Sequence, residues 1–257
     1  MPNQQAVLTY HSLDRSGSVI SIKPETFRDQ IRWLVQSGIA VVPLSELLQL
    51  NRSGAKSPAV ALTFDDGFEN FLTEAFPLLQ EHHLPATVFL VTGYCGRTND
   101  WPSQPPEFGG KRLLGWLQIE QLQREGIEFG AHTVNHADLT ALSLGEASAE
   151  ILDSKQQIED RIGAAVISFA YPFGAESPAL REVVAEHFTV GCSTRLGYLD
   201  AARPAAGVDP AASVERIDVY YLRNSAWFQR LFSPAGSAYL SLRGLGRTWG
   251  GKFRVRS

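Results

Sequence analysis

With 257 residues the chain suits one domain of α/β-barrel size, or at most two small ones. A hydrophobic fraction of 44% supports a single large core, and Cys95 and Cys192, at the ends of apolar runs, exclude a disulfide framework and read as reduced core residues. The net charge is −4, but after Asp218 no acidic residue follows, while Arg223, Arg230, Arg243, Arg247, Lys252, Arg254 and Arg256 do.

No run approaches the roughly 18 apolar residues of a membrane span. The opening "MPNQQAVLTYHS" has neither the basic nor the apolar region of a leader, so a cytoplasmic protein is the expectation unless a leader was removed.

In chain order, the first strand is expected at Val7–Tyr10. A helix follows from Pro24, with Phe27, Ile31, Leu34 and Val35 on one face and a stop at Gly38. Strands Ile39–Val42 and Ala59–Phe64 precede the helical stretch "FENFLTEAFPLLQEHH", and Ala86–Val91 is the next strand. The segment 93–112, "GYCGRTNDWPSQPPEFGGKR", carries no periodicity. Loops of that length are usually functional or mobile.

Strand Ile127–Gly130 comes next, then a helix opened by the capping box Ser143/Glu146 and closed at Gly163. Strand Val166–Ala170 leads to a helix with Ser177 as N-cap and Pro178 at its first position. Strands Phe188–Cys192 and Arg216–Tyr220 complete the alternation. Seven or eight strand–helix units in about 220 residues argue a parallel sheet covered by helices, and a closed or nearly closed β/α barrel over an open sheet. Residues 1–222 are expected to form the barrel and 223–257 a basic amphipathic tail. No glycine-rich phosphate motif follows any strand, and no nucleic-acid partner is expected.

Sites in such barrels are built at the C-terminal ends of the strands. Four strand ends deliver polar groups or a tight turn there: Tyr10-His11, Asp65-Asp66-Gly67, His132 with His136, and Tyr171–Gly174. The two histidines are four apart, a spacing that on a helical turn puts both imidazoles on one side. They read either as capping side chains or, with an aspartate from another strand end, as a two-histidine, one-carboxylate set open to water and substrate. Asp65-Asp66 reads either as a turn and helix cap or as a divided pair. In the second reading one carboxylate binds a cation and the other takes a proton from water that the cation has acidified.

"TFDDG", "H-T-x-x-H" and "Y-P-F-G" resemble the first three motifs of the polysaccharide deacetylases, carbohydrate esterase family four, with the NodB-type barrel. The resemblance covers roughly residues 6–220. It implies a distorted (β/α)7–8 barrel and metal-dependent hydrolysis of an N-acetyl group from an acetylated amino sugar in a glycan or its precursor. An O-acetyl esterase, a small-molecule amidase and a non-catalytic glycan-binding barrel are the alternatives. Residue by residue, it implies that Asp65 is the general base, that Asp66, His132 and His136 are metal ligands, and that the backbone N–H of Phe173 serves the oxyanion. Tyr171 and Pro172 are expected to bind substrate. The implied cation is zinc by ligand type, with cobalt, nickel or iron fitting the same donors.

Two positions depart from the family pattern. An arginine that orients the base in many members is replaced by Ala170, leaving Arg195 and Arg216 as candidates for its work. No histidine follows His187, so the late histidine that protonates the leaving amine is missing. Deacetylases of exported N-acetylglucosamine polymers carry that element as "YH" at the N-terminus, in circularly permuted order. His11 is therefore the expected general acid. Trp101, in the long loop, is expected either to stack on a sugar face or to anchor the loop. The basic tail is expected to pack on the barrel, lie on an anionic membrane surface, or meet a partner protein.

Overall fold

The structure, a computed structural model, describes residues 4–199 and 209–250. The strands and helices run β1 (Gln5–Tyr10), β2 (Ser12–Leu13), β3 (Ser21–Ile22), α1 (Pro24–Ser37), β4 (Ala40–Val41), α2 (Leu44–Arg52), β5 (Ala59–Phe64), α3 (Phe76–Glu81), β6 (Thr87–Leu90), α4 (Trp116–Arg124), β7 (Glu128–Ala131), α5 (Leu144–Ile162), β8 (Ser168–Ala170), α6 (Pro178–His187), β9 (Val190–Leu196), β10 (Val214–Asp218), α7 (Ser225–Phe228) and α8 (Pro234–Gly250).

The main sheet runs β1-β10-β9-β8-β7-β6-β5, and β5 pairs back onto β1, so the ring closes as a seven-stranded parallel barrel. β4 lies outside the ring, paired with the first half of β5. The short β2 and β3, which no sequence pattern announces, form a separate pair beside the end of β1.

Period-two alternation sorts the strand residues. Ala6, Leu8 and Tyr10 of β1 and Val60, Leu62 and Phe64 of β5 face the helices in the main apolar cluster. Val7, Ala59, Ala61, Phe89, Ala170, Val190, Cys192 and Val214 form a second cluster, the barrel interior, joined by Leu44, Leu47 and Leu48 of α2. The interior is narrow. A Cβ on Gly130 would stand 2.4 Å from the Phe89 ring. Continuing the inward phase by one step past each strand end gives His11 after Val7 and Thr9, Asp65 after Ala61 and Thr63, and His132 after Gly130.

Several boundaries differ from the sequence reading. The helix expected from Phe68 starts as a π-turn, Phe71–Ala75, before α3, because Pro77 has no N–H for the ordinary helical bond. β10 begins two residues before Arg216, and Val219–Leu222 is a 3₁₀ turn. Among the described tail residues, Phe228, Leu231 and Leu240 are buried in the main core. Tyr239 hydroxyl donates to Tyr221 O, and Tyr198 hydroxyl donates to Leu231 O. Lys252, Arg254 and Arg256 lie outside the described residues.

Candidate active site

The Asp65 side of the site is built from strands. Tyr10 pairs with Phe64, so the next residue of each strand, His11 and Asp65, are lateral neighbours; Asp65 N donates to Tyr10 O at 2.9 Å. His11 Nε2 stands 3.8 Å from Asp65 Oδ2. From β10, Arg216 reaches past β1: Nη1 donates to Oδ1 at 2.8 Å and Nη2 to Oδ2 at 2.7 Å, a bidentate clamp. Its Nε donates to Ser193 O at 2.9 Å.

A bulge aims this side chain. Val214 pairs with Cys192 but Arg216 pairs with Leu196, so β9 carries extra residues there and turns the Ser193 carbonyl to the guanidinium. Burial alone would lift the Asp65 pKa. The charge and hydrogen bonds of Arg216, with His11 and His132 beside it, outweigh burial and hold the carboxyl below its ordinary value. Of the two candidates for the missing arginine, Arg216 is therefore the one at the site. Arg195 is elsewhere, paired with Glu176 and donating to Ser213 O.

The Asp66 side of the site is built from bent loops. Asp66, Thr133, His136 and Phe173 all have positive φ, at 72°, 68°, 53° and 57°. Positive φ is costly for residues with a Cβ and collects where function demands a geometry. Gly67 follows Asp66 at φ 73°, and an added Cβ there would meet Leu90 Cδ2 at 2.8 Å. Residues 132–136 are not the helical turn the spacing suggested. The loop is folded by its two left-handed residues, and Glu150 of α5 accepts the N–H groups of Val134 and Asn135, both at 2.9 Å, and the Asn135 side chain at 2.6 Å.

The two histidines and Asp66 nevertheless converge. His132 Nε2 and His136 Nε2 lie 3.5 and 3.3 Å from Asp66 Oδ1, and all three atoms fall within 4.8 Å of one another. Asp66 Oδ1 is buried and has no hydrogen-bond partner among the described residues. Ligands at adjacent corners of a zinc tetrahedron lie roughly 3.3–3.6 Å apart, so donor type and spacing both fit a divalent cation. His132 Nδ1 donates to Ala170 O at 2.7 Å, which leaves the Nε2 lone pair available to a cation. Burial pushes the Asp66 pKa up, but the two imidazoles beside it outweigh burial and keep the carboxyl ionised. Burial also lowers the His136 pKa, and it prevails over the pull of Asp66 to favour the neutral ring.

Other expected site residues are placed differently. Tyr171 is fully buried, its hydroxyl donating to Ala212 O at 2.8 Å, and Pro172 is buried as well, so neither offers a surface to substrate. Phe173 is half exposed; the turn's hydrogen bonds run from Gly174 N to Tyr171 O and from Ala175 N to Pro172 O and do not use the Phe173 amide. A Cβ on Gly174 would meet Thr194 Oγ1 at 2.0 Å, so only glycine fits behind Phe173. Trp101 is only 2% exposed and packs on His136 at a centroid distance of 4.5 Å, which closes its faces to a sugar. Glu150 and the Ala170 carbonyl went unnoticed in the sequence. Nothing in a helix-face glutamate or an alanine signals such work.

Fold and site together define a closed β/α barrel that carries two histidines and one carboxylate beside a clamped second carboxylate. The chain belongs to the polysaccharide deacetylase family, whose sequence description, "Polysaccharide deacetylase", matches residues 52–189. That span holds Asp65, Asp66, His132, His136 and the Phe173 turn, and leaves out His11 and Arg216.

The Staphylococcus epidermidis poly-beta-1,6-N-acetyl-D-glucosamine N-deacetylase is 33% identical over 144 residues, 55% of this chain and 45% of that protein. The Streptococcus pyogenes deacetylase PplD, solved in complex with acetate, superposes with a TM-score of 0.71 at 24% identity, over 85% of this chain and 93% of that one. IcaB from Ammonifex degensii gives 0.70 at 24% identity, over 88% and 97%. The chain spans between 23% and 66% of the length of the first curated relatives it matches. A relative named for a polysaccharide gives no support to the cytoplasmic expectation. Among the described residues no helix is long and apolar enough to cross a membrane.

Proposed function

We propose that the chain is a metal-dependent N-deacetylase acting on an N-acetylglucosamine polymer of the kind its relatives are named for, a substrate met outside the cytoplasm. The observation that carries this reading is the division of the two adjacent aspartates. Asp65 accepts one hydrogen bond from Arg216 on each of its oxygens and keeps a further lone pair on each, whereas Asp66 keeps a buried oxygen free between two imidazole nitrogens.

Asp66, His132 and His136 would hold the cation, zinc by donor type. When bound it supplies Lewis-acid polarisation of the acetyl carbonyl and lowers the pKa of water. Asp65, ionised beside Arg216, takes the proton from the attacking water as oxygen bonds to the acetyl carbon. The Phe173 N–H donates to the oxyanion. His11 Nε2 gives its proton to the amide nitrogen as the C–N bond breaks, releasing acetate and a free amino sugar.

The test is acetate release from N-acetylated and O-acetylated sugars and polymers, with and without chelator. Release from the N-acetyl substrates that stops with chelator is expected, and an ester-only profile would overturn the assignment. His11→Ala is expected to lower kcat by about 10²–10⁴. Retention of most turnover would remove His11 from the acid role.

A further inference from the structure

If Asp66, His132 and His136 hold a divalent cation, as proposed above, the two imidazoles are supported in different ways. His132 Nδ1 donates to Ala170 O, which fixes its tautomer and its ring plane. His136 Nδ1 is buried and has no hydrogen-bond partner among the described residues. Metal-binding histidines almost always donate from the second nitrogen, and that bond orients the ring. Something else must orient His136, because its backbone, at φ 53°, is itself strained.

The rings around it supply the constraint. Trp101 lies nearly parallel to the His136 ring, 4.5 Å between centroids and 24° between planes. Phe173 meets it edge-on at 4.6 Å and 84°. Phe173 is half exposed, but Trp101 is not: it packs with Phe68, Val91 and Leu113, and Tyr94 closes on it edge-on at 5.6 Å. The Trp101 loop is also tied to the same histidine, since Ser103 Oγ donates to His136 O at 2.8 Å. The long loop is thus a fixed wall, held further by the bridge between Thr98 and Arg112.

We propose that Trp101 is a positioning residue of the metal centre, its stacked ring setting the orientation of His136 in place of the absent hydrogen bond. A sugar platform needs an open ring face, which Trp101 lacks. A simple loop anchor needs burial, but has no need of a parallel stack on a ligand.

Cobalt(II) titration of the full chain tests this, because bound cobalt reports both affinity and, through its visible absorption, the ligand geometry. Trp101→Ala is expected to weaken cobalt binding by about 10- to 100-fold and to change the spectrum. Trp101→Phe, which can still stack, keeps both. Leu113→Ala loosens the same cluster without touching His136 and keeps the affinity. If Trp101→Ala melts below the assay temperature, Trp101→Leu takes its place, keeping bulk without a ring; it too is expected to bind weakly.

Wild-type affinity and spectrum in Trp101→Ala or Trp101→Leu would overturn the proposal. So would an equal loss in Leu113→Ala. His136→Ala separates the two readings: if it binds cobalt as tightly as wild type, or if wild type does not bind, the metal centre itself fails and this proposal with it.

Discussion

The two halves of the rim solve opposite problems with adjacent residues. On the Asp65 side, Asp65, His11 and Arg216 stand on or just past strands of the barrel, and the buried carboxylate has a protein cation on both oxygens. On the Asp66 side, Asp66, His132 and His136 sit on loops bent through positive φ, and a buried oxygen is left without a hydrogen-bond partner among the described residues. The lesson is that charge repulsion between neighbouring aspartates is relieved by the fold at Asp65 and, under the proposed function, by a bound cation at Asp66. The first relief is permanent and rigid. The second is conditional, and under the proposed function the strained loops have to be held ready for it.

The largest break of this comparison is removal of the cation. Chelation is expected to abolish acetate release, with zinc or cobalt restoring it. The melting temperature with metal at about 100 times its Kd is expected to exceed that of the chelated protein by roughly 5–10 °C. Equal melting temperatures would mean that the cation side is complete without an ion. Asp65→Asn comes next: kcat falls by about 10²–10⁴ while metal affinity stays near wild type, because Asp65 is not among the donor atoms. A parallel loss of metal would show that the two carboxylates do not divide the work.

Arg216→Met attacks the permanent half. It leaves a buried carboxylate unpaired, which is expected to cost about 3–5 kcal/mol of stability. Adding Asp65→Asn should recover much of that loss, since the orphaned charge is gone; chemical denaturation of the single and double variants measures the coupling. Arg216→Lys keeps the charge but cannot reproduce the two parallel bonds. Its kcat is expected to fall with KM little changed, because Arg216 acts on Asp65 rather than on substrate. Independent, additive effects at Asp65 and Arg216 would dissolve the clamp.

The legibility of the two halves in the sequence follows the same division. Alternation along β1 and β5 is a local property, so the inward placement of His11 and Asp65 could be read from it. The choice between Arg195 and Arg216 could not, because it turns on a bulge between β9 and β10 and on where β10 begins. His132 and His136 were paired for a reason the structure does not use: a four-residue spacing suggests a helical turn, but Thr133 and His136 in left-handed conformations bring the same nitrogens together in a bent loop. Trp101 was ambiguous because an aromatic in a proline-rich loop looks alike whether it faces a sugar or a ligand. Tyr171 and Pro172 belong to a recognisable motif, and only burial shows that their side chains are closed to substrate.

Glu150 gives the finest test of the conditional half. Its carboxylate holds the N–H groups of Val134 and Asn135 on one oxygen and the Asn135 side-chain amide on the other, from a helix that touches no reacting atom. In Glu150→Gln one amide oxygen can keep both backbone bonds, while the new NH₂ faces the Asn135 NH₂ and loses the third. If the loop must be held ready before a cation arrives, cobalt affinity should fall by less than about tenfold, with kcat at saturating metal unchanged. A drop in kcat at saturating metal would mean that the loop also moves during turnover. The cation side would then be a working part of the cycle, where the comparison with Asp65 and Arg216 casts it as a site that binds once and stays.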